Sequence, residues 1–291
     1  MNEFTSNNKY APSLKVPIII QYISKILYAI SEKLTIFFAA KLFTTPISFK
    51  RPKRELGMLQ TSQVRKIYLP ENNKKIEILS YGFSNKKVLL AHGWCGRNTQ
   101  LFMIANKLLE NGFMVISFDG PSHGNSDGKT TNLLEFISTI KEINKKFGPF
   151  EAAVGHSFGS ISILNNQAQS SLFKCIVTVG SGDKISTILE NFSCNLGLKR
   201  KFGKKLQNYL ENKWNIKFDE YASNKVAKDI DVPVLVVHDS LDGDVDINCA
   251  INIRQNLKNG KLLITNGLGH TKILRNKNIS NRIVNFIKEN T

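Results

Sequence analysis

Five residues, Gly155-His156-Ser157-Phe158-Gly159, follow the short apolar run Phe150 to Val154 and restrict what this chain can become more than any other segment. A glycine-flanked serine after an apolar strand run is the pattern of a nucleophile elbow: the strand stops, the serine takes a strained backbone conformation, and a helix begins at once. Side chains at the flanking positions would obstruct so tight a turn, and Gly155 and Gly159 carry none. The serine hydroxyl is then held at the mouth of a sheet, and the amide of Phe158 at the helix start points to where an oxyanion would form.

Such a turn needs a sheet of strands alternating with helices. Strands are expected at Val64 to Leu69, Ile76 to Tyr81, Lys87 to Ala91, Met114 to Phe118, Glu151 to Gly155, Lys174 to Val179, Val232 to His238 and Lys261 to Thr265. The first two, separated by Glu71-Asn72-Asn73, read as a hairpin; the later ones, with helical patterns between most of them, read as the parallel part of a mostly parallel eight-stranded α/β sheet. No linker rich in Pro, Gly or Ser interrupts the alternation, so residues 56–291 are expected as one catalytic domain after a helical extension over 1–55. Gly180 to Asp231 is too long for an ordinary connection and predicts a small helical cap over about 181–230. Its apolar residues, Ile188, Leu189, Phe192 and Trp214 among them, either face a hydrophobic substrate or pack the cap on the core; both readings stay open.

An activated serine needs a base and an acid to orient it, which in this architecture follow in the order Ser, Asp or Glu, His. Asp242 lies just past the buried run Val232 to His238, and His270 lies in the loop Asn266-Gly267-Leu268-Gly269-His270 after the last strand. The order is met. His92-Gly93-Trp94 follows the apolar run Val88 to Ala91, and the Trp94 N–H is the natural second oxyanion donor, beside that of Phe158. His92, His123, His156 and His238 are expected to shape loops and strand ends rather than to react. Gly124 to Thr130 resembles a phosphate-cradling loop but has three residues between its glycines where four are needed, so nucleotide binding is not expected. Cys95, Cys175, Cys194 and Cys249 are scattered without a C-x-x-C pair, and no cofactor, metal or disulfide framework is expected.

Taken together, His92-Gly93-Trp94, Asp119 to Ser126, Gly155 to Gly159, His238 to Val245 and Gly269-His270 make the chain resemble the α/β-hydrolase family, over about Val64 to Ile287. The strings His92-Gly93-Trp94-Cys95-Gly96-Arg97 and Gly267 to Leu274 are similar to those of a bacterial subgroup with a hydrophobic N-terminal leader. The resemblance implies Ser157 as nucleophile, Asp242 as acid, His270 as base, and Trp94 and Phe158 as oxyanion donors. Asp183 is the fallback acid, because some members place it after the preceding strand. The substrate implied is a small-molecule ester or thioester with a hydrophobic acyl part. Acyl transfer and carbon-carbon bond hydrolysis are the alternatives on the same fold, and a ligand- or membrane-binding module with an idle triad is the alternative outside enzymology.

The segment 16–54 is the second informative region. Val16 to Phe43 is apolar but interrupted by Gln21, Lys25, Glu32 and Lys33, so it has no uncharged window of the roughly 20 residues that span a bilayer. Ile19, Ile23, Ile26, Ile30 and Phe37 fall on one helical face, opposite Gln21, Lys25 and Glu32, and Lys50-Arg51-Pro52-Lys53-Arg54 follows. Such a segment suits an anionic membrane surface, or equally a helix pair docked on the core. It lacks the basic start and cleavage site of a secretory signal, so the chain is expected in the cytoplasm or at its membrane surface. The net charge of +17 favours acidic surfaces in general, and no nucleic-acid motif accompanies it.

Overall fold

Strands as uniformly apolar as Val88-Leu89-Leu90-Ala91 or Val234-Leu235-Val236-Val237 can be stable only where helices cover both faces of a sheet. The computed structural model, which describes residues 10–291, has that arrangement; the first nine residues of the expected 1–55 extension lie outside the described residues. The strands are β1 (Gln63–Leu69), β2 (Lys74–Tyr81), β3 (Lys87–Ala91), β4 (Met114–Phe118), β5 (Phe150–His156), β6 (Phe173–Val179), β7 (Val234–Asp239) and β8 (Gly260–Thr265). They form one sheet in the order 1-2-4-3-5-6-7-8. β2 runs antiparallel to both β1 and β4, and the remaining pairs are parallel. β7 starts at Val234 rather than at Val232 as expected: Pro233 has no N–H to donate, and its carbonyl accepts the Ile176 amide at 3.0 Å as the strand begins.

Helices α1 (Ile18–Ile30), α2 (Glu32–Thr44) and the one-turn α3 (Leu56–Gln60) precede the sheet. α4 (Phe102–Glu110), α5 (Leu133–Phe147) and α6 (Phe158–Ser170) follow β3, β4 and β5, while α7 (Ile185–Asn195), α8 (Phe202–Trp214) and the short α9 (Ser223–Val226) lie between β6 and β7. α10 (Ile247–Asn256) follows β7, and α11 (Gly269–Lys272) and α12 (Lys277–Glu289) follow β8.

Alternation along each strand sends residues to two separate cores. Leu89, Ile116, Ala153, Ile176 and Val236 pack with Phe136 and Ile140 of α5, Ile163 of α6 and Ile253 of α10. Val88, Leu90, Val115, Val154 and Val237 face the other way, onto Ile104 and Leu108 of α4 and Ile283 and Ile287 of α12. Each buried Val, Leu, Ile or Phe side chain among them contributes about 1.5–3 kcal/mol. α12 shows how local sequence serves this packing: Asn276 caps it by accepting the Ile279 amide at 3.1 Å, worth about 1 kcal/mol, and Ile279, Ile283, Phe286 and Ile287 repeat at helical spacing on its buried face.

A third apolar cluster joins the cap to the N-terminal helices. Leu189, Phe202, Leu206 and Leu210 of α7 and α8 meet Ala39 and Ala40 of α2 and the partly buried Ile20 and Tyr28 of α1. The helical face expected across Ile19 to Phe37 is not continuous, because the chain turns at Ser31. The Ser31 amide closes α1 on Leu27 O at 2.7 Å, and its hydroxyl accepts the Leu34 amide at the start of α2. The face of α1 turned to the cap is that of Ile20, Ser24 and Tyr28, so Ile19, Ile23, Ile26 and Ile30 point outward. No helix among the described residues is long and apolar enough to cross a membrane.

Candidate active site

β5 ends at His156 and α6 begins at Phe158, leaving Ser157 alone at the corner with φ 48° and ψ −112°. A non-glycine residue there costs on the order of 1–3 kcal/mol, which the surroundings must supply. The Ser157 amide is pinned to Val179 O at the end of β6 at 2.8 Å, and the Ser157 carbonyl takes the Ser160 amide of the first helical turn at 3.0 Å. The flanking glycines are required by contact. A β-carbon on Gly155 would fall 2.6 Å from the Ser160 backbone, and one on Gly159 would fall 2.4 Å from the Ala91 carbonyl oxygen.

Asp242 and His270, far apart in sequence, are brought together at the same end of the sheet. His270 Nδ1 donates to Asp242 Oδ2 at 2.7 Å, which leaves Nε2 as the unprotonated nitrogen. Asp242 Oδ1 accepts the amides of Asp244 at 2.8 Å and Val245 at 2.9 Å. Burial penalises the Asp242 charge, but these bonds and His270 hold its carboxyl below the usual range. Burial likewise pulls His270 down, and the bond to Asp242 and its charge outweigh burial and raise the imidazole above its ordinary 6.5. The His270 ring lies against Gly180, the residue after Val179: a β-carbon there would sit 3.1 Å from its Cε1. His156, next to the serine, packs against His270 with ring centroids 4.7 Å apart and ring planes tilted by 47°, and bonds through Nε2 to the His270 carbonyl at 3.0 Å. Burial lowers His156 to about 3, so it is neutral and donates that proton. Among the described residues Ser157 Oγ has no hydrogen bond to His270, a looseness common before substrate binds.

The other carboxylates near the site serve elsewhere. Asp183 accepts from Asn252 Nδ2 of α10 at 2.8 Å and does not reach His270. Asp239 ties β7 to the end of β8 by accepting from Thr265 Oγ1 at 2.6 Å and the Leu268 amide at 2.9 Å. Asp246 caps α10 on the Asn248 amide at 2.9 Å. Asp244 takes the Ser13 amide and hydroxyl at 3.0 Å, while the Tyr10 amide donates to Leu241 O and the Tyr10 hydroxyl to Gly267 O, both at 3.1 Å. Residues 10–13 thus strap the two loops that carry Asp242 and His270, a role with no pattern in sequence to reveal it. His238, buried under Asp242, donates from Nε2 to Val245 O at 3.0 Å and lies 3.6 Å from Asp242 Oδ2.

Across the elbow lies the loop after β3. A β-carbon on Gly93 would fall 3.2 Å from Ser157 Cβ, so Trp94 follows immediately beside the serine. Among the described residues neither the Trp94 nor the Phe158 amide has an acceptor. Two neutral histidines shape this loop. His92 Nε2 accepts the Gly120 amide at 2.9 Å, and His123 Nε2 accepts the Cys95 amide at 3.2 Å while its Nδ1 donates to Pro121 O at 2.9 Å. Burial depresses both, His123 to about 4. Deeper still, Asp119 accepts the amides of Asn98 at 2.6 Å and Asn125 at 2.8 Å, and the side-chain amides of the same two asparagines donate to Glu77 at 3.1 and 3.0 Å. Burial pushes the Asp119 carboxyl up to about 6 against the pull of those two amides. Glu77, an acid within the apolar strand Ile76 to Leu79, was a visible signal that sequence reasoning passed over.

A half-buried hydroxyl at an elbow, an imidazole oriented by a carboxylate and two free amides can together perform nucleophilic acyl transfer. The ligand atoms of Asp242, Asp244 and His270 lie within 4.8 Å of one another, as a metal site would require. Each is already committed to a protein partner, Asp242 and His270 to one another and Asp244 to Ser13.

Residues 88–219 match the alpha/beta hydrolase family model, and residues 200–291 match the model of the TAP-like proteins. The chain belongs to the alpha/beta hydrolase family. Among curated proteins, an uncharacterised 31.7 kDa protein from the traX-finO intergenic region of Escherichia coli is 27% identical over 182 residues, covering 53% of this chain and 64% of that protein. This alpha/beta hydrolase therefore matches less than two thirds of that relative's length. Among solved structures, an esterase of Pyrococcus furiosus superposes with a TM-score of 0.64 at 18% identity, covering 84% of this chain and 98% of that one. A membrane phospholipase A described as a bacterial virulence factor has a TM-score of 0.63 at 14% identity, covering 94% and 96%. The ferulic acid-bound Est1E of Butyrivibrio proteoclasticus has a TM-score of 0.60 at 17% identity, covering 77% and 98%. At these identities the likeness is one of fold.

Proposed function

We propose that this alpha/beta hydrolase cleaves a carboxylic ester or thioester through an acyl-enzyme on Ser157. The observation that carries the reading is the 2.7 Å bond from His270 Nδ1 to Asp242, made where the imidazole lies against Gly180 beside the elbow. His270 Nε2 takes the proton from Ser157 Oγ as that oxygen attacks the carbonyl carbon, and the charged Asp242 stabilises the imidazolium. The Phe158 and Trp94 amides receive the oxyanion, each worth about 10²–10³ in rate. His270 then returns the proton to the leaving alcohol or thiol. Water, deprotonated by the same nitrogen, attacks the acyl carbonyl, releases the acid and restores Ser157.

A hydrophobic, small or lipid-like acyl substrate fits this site best. Phe158 and Ile161, directly after the nucleophile, share an apolar cluster with Ile188 and Leu189 of the cap. That the fold neighbours include esterases and a membrane phospholipase A agrees with ester chemistry of this kind.

A fluorophosphonate probe tests the reading directly. Wild type should be labelled, and Ser157→Ala and His270→Ala should not be; labelling that survives Ser157→Ala would refute it. Labelled wild type should then hydrolyse p-nitrophenyl esters, with added alcohols or amines separating hydrolysis from transfer by the products formed.

A further inference from the structure

We propose that the α1–α2 hairpin is a docking surface for an anionic lipid bilayer, with its outer face lying flat in the headgroup region. The inference does not depend on the hydrolase reading.

Of the sixteen large apolar side chains exposed among the described residues, eight lie between Ile18 and Phe37. Ile18, Ile19, Ile23, Ile26 and Ile30 form one face of α1, with Ile18 69% and Ile30 71% exposed, and Phe37 continues it on α2. Isolated exposed isoleucines are ordinary, but a contiguous helical face of them marks a contact surface. The opposite face of the hairpin is already occupied by the cap, through Ile20, Tyr28, Ala39 and Ala40. The outward face therefore has no further partner within the described fold.

Charge selects the occupant. Residues 15–54 contain eight basic residues and one acid. The acid, Glu32, is paired with Lys205 of the cap, whereas Lys15, Lys33 and Lys41 on or beside the hairpin, and Lys50, Lys53 and Arg54 in the segment that follows it, are all exposed. Lysine stems can lie along an apolar face while their ammonium groups reach lipid phosphates, the arrangement of an interfacial helix buried about 5–10 Å deep. A second copy of the chain seated on the same face would bring two sets of cations together, whereas an anionic leaflet neutralises them. Both helices have 13 residues, too few to span and long enough to lie flat.

Flotation of the full chain with vesicles tests the proposal, comparing phosphatidylcholine alone with phosphatidylcholine containing about a third phosphatidylglycerol. The full chain should float with the anionic vesicles and largely release between about 0.05 and 0.5 M salt. The double variant Ile23→Gln, Ile26→Gln, altered at exposed positions, should bind at least ~10-fold more weakly while keeping its melting temperature. Equal binding to neutral vesicles, unchanged binding by the variant, or absence of vesicle binding would overturn it. So would concentration-dependent dimers that the same substitutions dissolve while vesicles remain unbound.

Discussion

Asp242 divides its carboxylate between two tasks: Oδ2 holds His270 Nδ1 at 2.7 Å while Oδ1 is anchored by the amides of Asp244 and Val245. The oxygen that meets the imidazole is therefore fixed by the backbone of its own loop. Asp239, Asp244 and Asp246 crowd the same stretch, but each is bound to a different part of the fold.

This division predicts a sharp ranking among acids. Asp242→Ala should lower kcat/KM on a soluble ester by about 10³–10⁴. Asp244→Ala and Asp183→Ala should stay within about fivefold of wild type, since their partners are Ser13 and Asn252. Steady-state kinetics on the three variants decide it; a larger loss at Asp183 than at Asp242 would reassign the acid.

Activity should also follow the protonation of His270. His270, the proposed base, would work only when neutral, and although burial lowers its pKa, the bond to Asp242 and its charge raise it above 6.5. The rate should therefore fall as pH drops through a value above 6.5. Asp242→Asn removes the charge that raises it, so the residual rate should fall off at lower pH than in wild type. A pH profile of kcat/KM measures both; an unshifted acidic limb in the variant would contradict the coupling.

Asp119 makes the opposite kind of pH prediction. Burial lifts its carboxyl from 3.8 to about 6, so the folded chain holds a proton that the unfolded chain releases between those values. Its contribution to stability should decline as pH rises from about 3.8 to about 6 and stay level above, by about 3 kcal/mol in all. Asp119→Asn has no such titration. Melting temperatures across that range should show the wild type losing ground to its variant, and parallel curves would exclude the effect.

The elbow makes a steric prediction. Gly159→Ala would place a β-carbon 2.4 Å from the Ala91 carbonyl oxygen, which is backbone and cannot step aside. Overpacking of this kind costs about 1–3 kcal/mol, and about 2–4 °C of melting temperature per kcal/mol at this size. Differential scanning calorimetry should detect the drop, and probe labelling of Ser157 should weaken with it.

The sheet could be read from the chain because its strands are buried on both faces, and unbroken apolar runs leave little choice of structure. Their limits moved by one or two residues, most visibly at Pro233, where a missing donor delays the pairing of β7. Ser157, Asp242 and His270 were visible as candidates because each follows a strand at the same edge, so topology alone gathers them. Contacts made between loops left no comparable trace. Nothing in the sequence pairs Tyr10 with Leu241, or Asn98 and Asn125 with both Glu77 and Asp119. The 16–54 segment offered two readings, core docking or membrane contact, because apolar residues occur all round α1. The fold assigns Ile20 and Tyr28 to the cap and leaves the other side outward.

Tyr10 meets Gly267 across 257 positions of the chain, and Ser13 meets Asp244 across 231. Ribosomes work from the amino end, so this leading stretch emerges long before the loops it will hold have been made. Contacts between residues this far apart in sequence raise the contact order, and high contact order goes with slow folding. Tyr10 thus ties Leu241 and Gly267, near the other end of the sequence, to its beginning.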